Sequence, residues 1–183
     1  MKYSTKEIIL CAIFASIISI LAQISIPLPF TTVPLTMLIF GVSLTGLILG
    51  ARLGVVSVLV YLLIGAIGMP VFSQFSGGIS VLFGSTGGYL LGLLPMVYII
   101  GFAKEKFSNN IIIFISLIIG LISVYITGTL MFSLITGNTI YQSLLYCVLP
   151  FILVDILKLI LAFVVGLAVS KRVSSSLIYN KSI

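Results

Sequence analysis

The sequence predicts an all-α integral membrane protein of six transmembrane helices, and three observations carry that prediction. Charged residues make up 7% of the 183 residues and hydrophobic ones 61%, against roughly a quarter charged in a soluble domain. The mean hydropathy is +1.41. The apolar runs are long and unbroken, where the strands of an outer-membrane barrel would alternate. The bases fall between those runs, as topology signals do, so the net charge of +6 does not point to nucleic acid.

Taken in order, residues 8–26 form the first run, long enough to cross a hydrocarbon core of about 30 Å. Lys2 and Lys6 precede it and no small-x-small cleavage site follows, so a retained first span is expected. Pro27, Pro29 and Pro34 punctuate the next loop. Residues 35–50 and 53–68 are shorter runs divided by Ala51-Arg52. A single helix through both would overshoot a bilayer, so a hairpin turning at Arg52 is expected. Residues 69–85, with Pro70, Gly77, Gly78 and Gly84, are expected as a long loop. The last three spans are expected at 86–102, 111–135 and 147–169, all within one membrane domain covering 1–183.

Six spans with both termini in the cytoplasm put Lys2, Lys6, Arg52, Lys104, Lys106, Lys171, Arg172 and Lys181 on that side. The outer loops near 27–34, 69–85 and 136–146 then hold no lysine or arginine. Fusing 35–68 into one span would scatter the bases across both faces. The ninth base is Lys158, inside the last run.

Lys158 lies three residues from Asp155, which puts the two on one helix face, about a turn apart. Ionisable groups at membrane depth are costly unless paired or lining a cavity, so this pair is the first functional candidate. The alternative is that the two simply neutralise each other. Asp155 stands about eight residues into the expected span, on the order of 12 Å down. A pocket there would open outward, lidded by residues 69–85. Enzyme chemistry has no support: the chain has no histidine, no nucleophile beside a base and no phosphate-binding GxxxxGK[ST] loop. Cys11 and Cys147 form no CxxC and are expected as small core residues. No cofactor or metal is expected.

Four motifs occur together along the chain: Tyr61-Leu-Leu-Ile-Gly-Ala-Ile-Gly-Met-Pro-Val-Phe72, Phe75-Ser-Gly-Gly78, Thr86-Gly-Gly-Tyr89 and Asp155-x-x-Lys158. Over nearly its whole length the sequence resembles the BioY family, the substrate-binding S components of energy-coupling factor (ECF) biotin transporters. Two departures stand out. Ser85 occupies the position where the family's GPTGGY has proline, and Val33-Pro-Leu-Thr36-Met-Leu38 lacks the glutamine of VPITLQT.

The resemblance implies a multi-pass protein of a prokaryotic cell membrane. Such a protein captures biotin outside and docks on a transmembrane coupling protein driven by two ABC-type ATPases. Small residues on the first helix, Ala12 with Ser16 and Ala15 with Ser19, are the docking candidates, with internal packing as their alternative. Biotin's ureido ring offers two N–H donors and a carbonyl. An ionised Asp155 accepts from the N–H groups, and Lys158 donates to the carbonyl or to the valerate carboxylate. Gln74, Thr86, Tyr89, Phe75, Gly78 and Thr36 complete the candidate site. Gln74 has the alternative of a solvated loop amide, and Phe75 that of ordinary packing. Two other functions remain to be weighed: an S component for another vitamin, and a structural membrane protein with no ligand.

Overall fold

The computed structural model describes residues 4–29 and 31–173. Lys2 and Lys181 of the charge argument lie outside them, as do the side chains of Lys171 and Arg172. Helices dominate: α1 Thr5–Gln23, α2 Leu38–Ala66, α3 Ile79–Leu82, α4 Gly87–Leu91, α5 Leu93–Lys106, α6 Asn110–Thr136, α7 Ile140–Cys147 and α8 Ile152–Val173. Two-residue strands, β1 Ser25–Ile26 and β2 Leu35–Thr36, pair antiparallel. They turn the segment between α1 and α2 into a strap.

Among the described residues, five helical stretches are long and apolar enough to cross a membrane: Thr5–Gln23, Leu38–Ala66, Gly87–Lys106, Asn110–Thr136 and Ile152–Ser170. A reciprocal capping box starts α1, with Ser4 Oγ accepting from the Lys6 N–H and Glu7 Oε2 from the Ser4 N–H at 2.8 Å. The buried residues Cys11, Ala15, Ile18 and Ala22 recur every three or four positions and pack against α2.

The two expected spans at 35–50 and 53–68 are the two helical arms of α2, which breaks at Gly50. There φ is 79° and ψ −173°, a region in effect restricted to glycine. Straight, 29 residues would run about 43 Å. Instead the chain doubles back: a Cβ built on Gly54 would lie 3.7 Å from Cα of Gly46. The turn is at Gly50, two residues before Arg52. Glu105 closes it, its Oε1 accepting from the Ala51 N–H at 2.9 Å.

Three other boundaries differ from expectation. Pro95 cannot donate to Leu91, and the fourth run breaks at Gly92 into α4 and α5. The loop expected at 136–146 contains α7, opened by a Thr139–Gln142 capping box. The last helix starts at Ile152, after a turn containing Pro150, and not at Cys147. Asp155 therefore sits in its first turn rather than eight residues in.

Residues 69–85 hold a 3-10 turn, Ser73–Phe75, and α3. Their anchor is Phe72, fully buried edge-on to Tyr61 with ring centroids 5.5 Å apart. Its ring fills the space that a side chain at Gly65 would need.

Candidate functional site

On α8 the usual helix pattern is inverted. Asp155, Lys158, Leu159, Ala162 and Ser170 form the buried stripe, and Leu153, Ile156, Leu157, Ile160, Leu161 and Val164 are exposed. An amphipathic helix in a bilayer turns its polar groups inward, where they meet protein rather than hydrocarbon. Asp155 is 4% exposed and Lys158 5%, and Lys158 Nζ donates to Asp155 Oδ1 at 2.7 Å. A second donor arrives from α6: the Tyr125 hydroxyl donates to Asp155 Oδ2, also at 2.7 Å. Each carboxylate oxygen thus holds one short charge-assisted bond and keeps acceptor capacity.

These three groups line a cavity of about 70 Å³. The strap contributes Val33, Pro34 and Thr36, and α2 contributes Leu38 and Ile39. Tyr89 and Leu93 come from α4 and α5, Val124 from α6, and Cys147 and Phe151 from α7 and the turn after it. Outside the acid–amine–phenol corner the wall is mostly hydrocarbon. A small set of fixed polar groups in an apolar wall is the usual build of a small-molecule site. Tyr89 reaches across the cavity, its hydroxyl donating to the Cys147 carbonyl at 3.5 Å. Side chains tether the strap on both sides, Thr31 Oγ1 to Cys147 Sγ at 3.6 Å and Thr32 Oγ1 to Ser85 Oγ at 3.4 Å.

Four expected site residues meet at this cavity: Asp155, Lys158, Tyr89 and Thr36. Four others do not line it. Gln74 and Phe75 are exposed, held in left-handed backbone at φ 58° and 54°. Phe72, not they, takes the inward position of that loop. Gly78 spends its N–H on the Gly65 carbonyl at 2.7 Å and opens α3. Thr86 precedes α4 one turn before Tyr89, and it is Tyr89 that faces the cavity. The expected lid also changes: the strap covers the cavity, and no residue of 69–85 lines it among the described residues. Cys147, expected as core, is buried but stands on the cavity wall.

Tyr125 is the residue the sequence reading lacked. Its partner is 30 positions away on another helix, so no local spacing announces it. It is the one tyrosine in an apolar run that also carries serine and threonine hydroxyls, so residue type was the available signal. On α1, the docking candidates Ala12 and Ser16 are exposed, with Ser16 Oγ bonded back to the Ala12 carbonyl at 3.0 Å. Ala15 faces the opposite way, 2% exposed in the core, and Ser19 is half-buried beside it.

Comparison with known proteins agrees over nearly the full length. The BioY family model matches residues 1–175. The chain is 37% identical over 161 residues to the probable biotin transporter BioY of Pyrococcus horikoshii, covering 88% of this chain and 94% of that one. It is 35% identical over 166 residues to the biotin transporter BioY of Thermotoga maritima, covering 91% and 96%. The fold is similar to the crystal structure of the S-component for biotin from an ECF-type ABC transporter. The TM-score is 0.85 at 29% identity, over 93% of this chain and 95% of that one.

Proposed function

We propose biotin capture and uptake as the work of this chain, which belongs to the BioY family. It is a multi-pass cell-membrane protein and the substrate-binding S component of an ECF-type ABC transporter. It assembles with a transmembrane coupling protein and ATPases. It is a transporter component and not an enzyme, with biotin as substrate and no cofactor.

The observation that carries the binding mode is the convergence of Asp155, Lys158 and Tyr125 on one cavity wall. A cyclic urea presents two N–H donors beside a carbonyl with two lone pairs. The corner presents the complement, a carboxylate acceptor flanked by two donors. Asp155 accepts from the ureido N–H side, Lys158 has hydrogens left to donate to the carbonyl, and Tyr125, whose one hydrogen goes to Asp155 Oδ2, holds the carboxylate in place. Tyr89, Leu93, Phe151 and the strap then enclose the apolar ring, with Thr36 at the rim. The cavity has room for a handful of water molecules, and outward movement of the strap would enlarge it for a bicyclic ring.

Six crossings are supported by the reversal at Gly50, which splits α2 into two antiparallel arms. The positive-inside pattern supports cytoplasmic termini, with Lys6, Arg52, Lys104 and Lys106 at one end. The strap and the start of α8 then face outward. Ala12 and Ser16 supply a small-residue face for the coupling protein.

The test is binding of labelled biotin to the detergent-purified chain, alone and after coexpression with coupling ATPases. Saturable binding by the chain alone is expected. Tight binding of a different vitamin, with none of biotin, would overturn the assignment.

A further inference from the structure

At the end of the bundle away from Arg52, Lys104 and Lys106, the segment after α2 exposes large apolar side chains alongside the uncharged polar Gln74 and Ser80. Ile67 is 79% exposed, Phe75 73% and Phe83 65%, with Ile79 on the same face of α3 as Phe83. No charged residue occurs between Arg52 and Lys104. In water such a surface would be an association hazard.

Two further observations identify what covers it. The surface continues a spanning face: Leu59, Leu63 and Ile67 follow one another at four-residue steps along α2, each exposed. Several backbone groups of the segment also bond to protein. Gln23, the last residue of α1, gives its Nε2 hydrogens to the Phe72 and Pro70 carbonyls at 3.0 and 3.3 Å. Its Oε1 accepts from the Phe75 N–H at 2.9 Å. The Phe72 N–H bonds to the Ser76 carbonyl and the Gly78 N–H to that of Gly65. This pairing holds Gln74 and Phe75 in left-handed backbone, a costly conformation for a non-glycine residue. Away from water, irregular backbone is tolerated only when its polar groups find partners.

We propose that the cap formed by residues 67–83 is embedded in lipid, with Phe75, Ile79 and Phe83 seated among the upper acyl chains of the leaflet at the strap end. Gln23 is the positioning residue that makes the cap's backbone compatible with that setting. The inference rests on the chain spanning a bilayer and is independent of what the cavity binds.

The chain contains no tryptophan, so single-tryptophan variants report their own surroundings. Phe75→Trp and Phe83→Trp are reconstituted in phosphatidylcholine vesicles, with Ile119→Trp, exposed in the middle of α6, as the membrane control. The expected result at 75 and 83 is blue-shifted emission that lipids brominated near the top of the acyl chain quench and aqueous iodide does not. Iodide quenching at 75 and 83, with Ile119→Trp still quenched by brominated lipid, overturns the cap proposal alone. Shielding of 75 and 83 from both quenchers also overturns it, since the cap would then be covered by protein. Loss of lipid quenching at 119 would overturn the membrane reading beneath it.

Discussion

Replacing Asp155 by asparagine keeps the shape of the side chain and removes its charge, which separates its two tasks. The first is structural. Lys158 donates to Asp155 over 2.7 Å with both side chains 6% exposed, so the variant leaves a buried ammonium without a counter-charge. Breaking such a pair costs about 3–5 kcal/mol. The second is recognition. Exchanging a carboxylate for an amide turns one oxygen facing the ligand into a donor opposed to an N–H. A hydrogen bond to a charged group contributes about 1.5–3 kcal/mol, so biotin affinity falls roughly 10- to 140-fold at 1.4 kcal/mol per decade. Titration calorimetry on detergent-purified protein measures the affinity, and thermal unfolding of the same samples measures the stability. The double variant Asp155→Asn/Lys158→Met distinguishes the two, because it removes the stranded ammonium along with its partner. Its unfolding temperature should recover most of the loss while biotin binding does not. Recovery of both together would refute a recognition role and leave the pair as mutual neutralisation.

Four further outcomes are expected. Lys158→Ala should weaken biotin more than an analogue whose ureido carbonyl is replaced by an imine; equal losses in competition binding would remove the Lys158–carbonyl contact. Tyr125→Phe deletes one donor at the same corner and should lower affinity by about 0.5–1.5 kcal/mol, roughly 2- to 12-fold, in the same calorimetric assay. Gln74→Ala should leave affinity within error of the parent, since Gln74 is exposed and off the cavity wall; a tenfold loss by equilibrium dialysis would return it to the site. Gly50→Ala forces a side chain into φ 79° and against the Glu105 carboxylate, so thermal unfolding should show a loss of about 1–3 kcal/mol.

What was legible in the sequence and what was not divides along physical lines. The apolar runs and the placement of bases depend only on local composition, and they located the membrane-length helices. Arg52 marked the reversal inside α2 to within two residues, but only the backbone at Gly50 fixes the turn. The Asp155–Lys158 pair was legible because three-residue spacing on a helix is itself a statement about geometry. Tyr125 was not, since its bond to Asp155 crosses from α6 to α8. The lid was assigned to residues 69–85 because glycine and aromatic content say that a segment is irregular, not which way it folds. There Phe72 and Gln23 fix the segment in place, while Val33 and Pro34 of the strap reach the cavity.

The cavity wall draws on the strap and on every membrane-length helix except α1, which contributes no lining residue among those described. The surface proposed to meet the coupling protein, at Ala12 and Ser16, therefore shares no side chain with the cavity proposed to take the vitamin. On that proposal, cargo and chassis are handled by separate parts of one small bundle. News of whether the cavity is filled has a direct covalent route to α1 through the strap, which begins where that helix ends at Ile24. A coupling protein gripping α1 can thus serve a differently lined pocket on the same handle, without the handle itself changing.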